Sequence, residues 1–324
     1  MKNISILVPE AAVMEAVADP RYLFTTANQF LQAAGQSPLF NVQLVAVNKE
    51  VKLLGGVFSI NADRSIHDIT QTDLIIIPAV FGDMKTAVTL NQEAIKWVTD
   101  QYEKGAEVAS LCVGAFLLGA TGLLNGKKCS THWAYYNEFK ETYPEVEVVD
   151  GSIITEETRL YSSGGANSYW NLLLYLLEKY TSREIAILAA KYFAIDIDRD
   201  SQSAFAIFNG QKDHNDEEVK KAQQYIEEHY KEKITVDELA DMVAVSRRTF
   251  ERRFKQATNN TVLEYVQRVK VEAAKRSFEA SRKNISEVMF GVGYTDTKAF
   301  RSVFKKITGL TPVEYRNKYQ KEAV

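Results

Sequence analysis

The sequence predicts a chain of two domains, an α/β domain with a mostly parallel sheet followed by an all-α domain. Three observations carry this. The chain has 324 residues, more than one ordinary domain. Its first two thirds alternate short, continuously apolar β-rich runs with helical patterns. Its last third keeps apolar residues only at spacings of three and four. The polar stretch 209–216, Asn-Gly-Gln-Lys-Asp-His-Asn-Asp, has no periodicity and reads as a linker. The expected division is therefore 1–208, linker 209–216, and 217–324.

The strands expected in the first domain are 4–8, 42–47, 74–77 and 108–111. Each is apolar along its whole length, as strands covered on both faces by helices are. Gly55-Gly56 separates two shorter runs, 51–54 and 57–60, and predicts a hairpin turn with no role in holding phosphate. No glycine-rich nucleotide motif follows a strand, so no cofactor is expected.

In the second domain, Thr235-Val236-Asp237-Glu238 predicts a capping box that opens a short helix carrying Leu239, Met242 and Val243. That helix stops at Ala244-Val245. Ser246 caps the next, where Phe250, Phe254 and Ala257 form an inner stripe and Arg247, Arg248, Glu251, Arg252 and Lys255 point outward. A short helix, a tight turn and a basic-faced helix make a helix-turn-helix.

The same pattern returns fifty positions on, with 236–250 laid without gaps on 286–300. Leu239 then falls on Met289, Met242 on Val292, Phe250 on Phe300 and Phe254 on Phe304. The outward positions become Thr297, Lys298, Arg301 and Lys305, so the core is repeated while the outward side chains change. A helix over about 262–280, with Leu263, Val266, Val269 and Ala273 as its apolar side, is expected to space the two units. Thr311-Pro312-Val313-Glu314 caps a last helix.

Composition agrees with a soluble globular protein, at 46% hydrophobic and 25% charged. No apolar run is long enough to span a bilayer, which predicts neither a membrane segment nor a signal peptide. Two cysteines, Cys112 and Cys129, are too few for a disulfide framework and favour a reducing cytoplasm. Residues 1–215 hold 17 Lys and Arg against 25 Asp and Glu, and residues 216–324 hold 22 against 17. A module of net charge +5 thus follows one of −8, and the basic one suits a polyanionic partner.

Residues 235–318 resemble the AraC/XylS regulator domain. The hallmark is Gly291-x-Gly293-Tyr294-x-Asp296, then Phe300-Arg301, Phe304-Lys305-Lys306, Gly309, Thr311-Pro312 and Tyr315-Arg316. The resemblance implies double-stranded DNA as partner. It makes Arg247, Arg248, Glu251, Arg252, Thr297, Lys298 and Arg301 the candidate DNA-facing residues, with Lys305 on the backbone. RNA polymerase is a further expected partner.

In the first half, the run 108–111 leads straight into Cys112-Val113-Gly114-Ala115-Phe116, a strand-to-helix turn with cysteine at its apex. Such a turn would expose sulfur at a helix N-terminus, where the dipole favours thiolate. Thr131-His132-Trp133 supplies a histidine, and Glu15 after the first strand could reach the same strand ends. These pieces, with the loop Ser162-Ser163-Gly164-Gly165, resemble the PfpI-like, class I glutamine amidotransferase-related domain, whose fold is flavodoxin-like. The order of the two modules is similar to that of GlxA-type regulators, in which the first serves as sensor.

Two departures argue against catalysis. Val113 stands where PfpI-type peptidases place histidine, and Pro78-Ala79-Val80-Phe81-Gly82 replaces the usual paired glycines of the oxyanion loop. Cys112, His132 and Glu15 remain nucleophile-elbow candidates. Each also has a plainer reading, as a small buried residue, a helix-capping or packing histidine, and a helix-start carboxylate. His67, His214 and His229 have no partners at metal-ligand spacing, so no metal is expected.

The expectation is a non-enzymatic regulator, homodimeric and cytoplasmic. An unidentified small-molecule effector would sit near Glu15, Cys112, Val113, His132, Gly164 and Gly165. The alternatives are a cysteine-dependent hydrolase, amidase or glyoxalase-like enzyme joined to a DNA module, or a redox switch at Cys112.

Overall fold

The apolar run Leu74-Ile75-Ile76-Ile77 lies at the middle of the molecule's largest sheet, with all four side chains buried. A computed structural model describes residues 1–197, 201–208, 210–212 and 214–319. The chain forms two compact units, Met1–Gln202 and Ser203–Val324.

The first unit runs β1 (Lys2–Leu7), α1 (Met14–Ala33), β2 (Phe40–Ala46), β3 (Glu50–Leu53), β4 (Phe58–Asn61), β5 (Arg64–Ser65), β6 (Leu74–Ile77), α2 (Met84–Leu90) and α3 (Gln92–Glu103). It continues with β7 (Glu107–Ser110), α4 (Ala115–Ala120), β8 (Lys128–Cys129), α5 (Tyr136–Thr142), β9 (Glu147–Val148), β10 (Ile154–Glu157), β11 (Leu160–Ser163), α6 (Tyr169–Tyr180) and α7 (Arg183–Tyr192). Seven strands make one sheet in the order β10-β11-β7-β6-β1-β2-β5. Every pairing is parallel except β10 with β11 at one edge. Helices α1, α6 and α7 pack together, and α2 and α3 each meet α4.

The four expected strands are present; β6 has the expected bounds and the other three begin one or two residues earlier than expected. The hairpin at Gly55-Gly56 is β3 paired with β4. The expected loop around Ser162 and Ser163 begins as strand, since both residues belong to β11. Its polar sequence hides this, because the hydroxyls of Ser162 and Thr155 bond each other inside the sheet.

The second unit has α8 (Glu217–His229), α9 (Val236–Met242), α10 (Arg247–Thr258), α11 (Val262–Ala280), α12 (Ile285–Gly291), α13 (Thr297–Thr308) and α14 (Pro312–Tyr319). It has two cores. Leu239, Phe250, Phe254 and Tyr265 centre the first; Phe278, Met289, Phe300, Phe304 and Tyr315 centre the second. Phe208, assigned from sequence to the first domain, packs against the first of these cores.

Two sequence expectations need correction here. The gapless overlay slips by one residue in the leading helices, because α9 and α12 start 49 positions apart while α10 and α13 start 50 apart. Ala240, not Leu239, therefore corresponds to Met289, and Val243, not Met242, to Val292. Met242 is accordingly 44% exposed. The second correction concerns α11, whose expected apolar member Leu263 is 65% exposed. The buried face instead carries Val262, Tyr265, Val266, Val271, Ala274 and Phe278, with the charged Lys270, Glu272 and Lys275 among them. A helix that serves two cores in succession need not keep one stripe.

Candidate functional site

Caps and left-handed turns fix the two helix-turn-helix units. Thr235 and Glu238 bond reciprocally at the start of α9, and Asn284 and Glu287 do the same at α12. Ala244 and Gly293 turn the chain with φ of 54° and 77°. A Cβ at Gly293 would lie 2.1 Å from the Lys231 carbonyl oxygen, so this turn requires glycine. Ser246 then caps α10 and Asp296 caps α13.

Those helices expose the basic side chains. Arg247, Arg248, Glu251, Arg252 and Lys255 are all exposed on α10, and Thr297, Lys298, Arg301 and Lys305 on α13, while Phe250, Phe254, Phe300 and Phe304 turn inward. Arg247 is already engaged, reaching Asp237 at 3.0 Å and Glu251 at 3.4 Å. Among the described residues no ion pair is made by Arg248, Arg252, Lys298, Arg301 or Lys305. Ser302, Lys306 and Thr311, which the sequence reading did not place among the DNA-facing candidates, join Thr297, Lys298, Arg301 and Lys305 around a depression of about 680 Å³. Helix α13 has no acidic residue to oppose these cations.

In the first unit, β7 delivers the chain to Cys112, whose φ of 55° is strained for a residue with a side chain. Gly114 lets this turn press on the loop after β6, since a Cβ there would stand 2.4 Å from the Pro78 carbonyl oxygen. The Cys112 N–H donates to Ser163 Oγ at 3.3 Å, and Thr131 Oγ1 donates to the Cys112 carbonyl at 3.4 Å. Val113 is buried beside it. The structure corrects the thiolate expectation. Burial pushes the Cys112 thiol up to about 12, outweighing the opposing hydrogen bond from the Val113 amide.

Glu15 lies in the first turn of α1 and is exposed. It converges with Cys112 on a residue the sequence reading missed, Tyr169. Burial first, then Asp19, and more weakly Glu15 and Cys112, hold the Tyr169 phenol far above its ordinary range. Asp19 accepts from Tyr169 Oη at 2.7 Å and from Trp170 Nε1 at 3.0 Å. Its spacing of four from Glu15 on one helix was the available signal.

His132 sits at the start of a single 3-10 turn, where its Nδ1 accepts from the Ala134 N–H at 3.1 Å. Burial lowers its pKa, so the ring is neutral near pH 7. Among the described residues no hydrogen bond joins it to Cys112. Gly164 donates its N–H to the Ile153 carbonyl at 2.8 Å, and Gly165 has a φ of 74°. A Cβ at Gly164 would meet Gln202 Nε2 at 2.0 Å and the Thr131 carbonyl at 2.7 Å. Gln202, also missed, donates to the Thr131 carbonyl at 2.9 Å and accepts from the Trp133 N–H at 3.2 Å.

Cys112, Val113, Thr131, Ser163, Gly164 and Gln202 thus form one neighbourhood at the strand ends. Among the described residues no group of three or more His, Cys, Asp or Glu could hold a metal. No helix of those residues is long and apolar enough to cross a membrane.

Residues 16–179 match the DJ-1/PfpI family and residues 239–318 match the helix-turn-helix domain family. The chain is 27% identical over 214 residues to the HTH-type transcriptional regulator ArgR of Pseudomonas aeruginosa, an alignment covering 66% of this chain and 65% of ArgR. It is 23% identical over 322 residues to the HTH-type transcriptional regulator CdhR of the same organism, covering 96% and 90%. An AraC family transcriptional regulator from Pseudomonas putida superposes with a TM-score of 0.51 at 18% identity, over 60% of this chain and all of that one, a likeness of fold.

Proposed function

The chain belongs to the AraC-family helix-turn-helix transcriptional regulators with an N-terminal DJ-1/PfpI domain, and from that premise we propose how it reads DNA and what controls it. The observation that carries the reading is the pair of capped, basic-faced helices α10 and α13, built on one repeated plan with different outward side chains. Held about 34 Å apart, such helices enter successive major grooves on one side of the duplex. In this reading Arg301 and Arg248 pair with guanine O6 and N7, Thr297 meets a thymine methyl, and Lys305 neutralises a phosphate.

A small-molecule effector occupies the neighbourhood of Glu15, Cys112, Val113, His132, Gly164 and Gly165 and changes the orientation or dimerisation of the DNA-reading unit. A thiol held protonated and a histidine spent on a backbone amide support a sensing role over turnover for Cys112. The strained φ at Cys112 is the one feature that favours an enzyme. Replacing Cys112 with Ala separates the two readings, because a sensor keeps its operator binding and has no hydrolysis to lose.

Footprinting of the full chain on its own upstream DNA tests the regulator reading. Two protected segments about one helical turn apart are expected. Arg301→Ala is expected to erase sequence preference in one segment and leave the other. A single protected segment, or one untouched by Arg301→Ala, overturns the docking.

A further inference from the structure

Gln202 is buried beside Thr131 and Gly164 in the candidate effector site, and the next residue opens the helical unit. Its side chain is buried, and its amide also donates to the Ser152 carbonyl at 3.2 Å while its N–H donates to Gly151 at 2.8 Å. No apolar packing requirement explains a glutamine there. It acts as a peg holding the Thr131–Trp133 backbone.

Directly after the peg, the 3-10 turn Ser203–Phe205 packs on the recognition helix α13. The Ala206 carbonyl then accepts from Lys275 Nζ, and the Phe208 N–H donates to Glu272 Oε2 at 3.2 Å. Glu272 and Lys275 bond each other at 2.8 Å, with side chains 9% and 5% exposed. Phe208 finally meets the Tyr265 ring edge-on at 5.1 Å, in the first helix-turn-helix core. A buried ion pair carries a desolvation cost that apolar residues would avoid. Here its remaining valences grip the backbone of 203–208, which therefore touches both helix-turn-helix units within six residues.

We propose that 203–208 is a relay, which carries the seating of Gln202 on the Thr131–Trp133 backbone to the second recognition helix. This rests on reading the neighbourhood of Cys112, Thr131 and Gly164 as the effector site. A ligand offering one donor and one acceptor can replace the Gln202 amide on Thr131 and Trp133. The freed peg slackens the turn lying on α13, while Phe208 at the far end of the segment stays packed in the core beneath α10. One effector site can then alter one half of the DNA contact.

Hydrogen–deuterium exchange on the full chain, without effector or DNA, tests the relay. Gln202→Ala is expected to speed exchange in α13 roughly threefold or more. A four-residue Gly-Ser insertion between Gln202 and Ser203 is expected to make α13 indifferent to that substitution. Unchanged α13 exchange in Gln202→Ala overturns the relay, as does an effect that persists through the insertion. Gln202→Glu, which keeps the size and removes both amide donations, serves if the alanine variant does not accumulate folded. With no DNA present, a chain that passes footprinting and fails here loses the relay alone.

Discussion

At Gly293 one absent methyl group decides how the second turn closes. Its φ is 77°, its carbonyl accepts from the buried Lys270 Nζ at 3.3 Å, and a Cβ would strike the Lys231 carbonyl oxygen. Backbone cannot yield as a flexible side chain can. Gly293→Ala is therefore expected to destabilise the helical unit by roughly 2 kcal/mol or more. Urea unfolding followed by circular dichroism measures this, and an unchanged midpoint would contradict the close approach. At Cys112 the raised pKa predicts slow chemistry. With the thiol pushed to about 12, the thiolate fraction near pH 7 is roughly one in 10⁵. Alkylation at Cys112, followed by peptide mass, should keep rising with pH through 9 and 10. A plateau near pH 7 would mean an activated thiolate. Cys112, Glu15 and Gly164 were legible in the sequence because a strand-to-helix turn and strand ends announce themselves locally. Tyr169 and Gln202 were not, and Ser163 was read only as loop, because β11 reaches β7 only through the sheet's topology and nothing near residue 202 shows which loop it will meet.

Helix α8 shows what a polar stretch can conceal. Asp216, at the end of the expected linker, accepts from the Val219 N–H at 3.2 Å and takes a two-toothed contact from Arg253 of α10 at 2.6 and 2.8 Å. The Arg253 guanidinium holds its carboxyl below the usual carboxylate range. A depressed carboxyl stabilises above its unfolded pKa and loses that contribution as pH falls through the folded value. Asp216→Ala is expected to lower stability at pH 7 by about 1 kcal/mol. The difference from wild type should shrink as the pH drops below about 4. A gap that stays constant into acid would rule out the charged cap. The same element scale explains the slip in the overlay. Thr235 and Asn284 are both capping residues, yet periodicity alone cannot see that the second turn holds one residue more. Helix α11 resisted reading for another reason, since Tyr265, Lys270 and Lys275 are polar side chains whose burial depends on partners far along the chain.

For the whole molecule, the sequence's charge asymmetry has a structural counterpart. The unit Ser203–Val324 exposes Arg248 and Arg252 on α10 and Lys298, Arg301 and Lys305 on α13 without ion pairs among the described residues, and holds its acids largely in caps and internal pairs such as Asp216–Arg253 and Glu272–Lys275. Net charge alone was a weak signal; its placement on α10 and α13 makes it a DNA-reading argument. The salt dependence of DNA binding by the full chain tests that claim most directly. A plot of log Kobs against log salt should fall steeply, by about 0.9 per phosphate neutralised. Lys305→Ala should flatten the slope by about one and weaken all sequences alike. Binding that ignores salt, or a slope that Lys305→Ala leaves unchanged, would contradict the account.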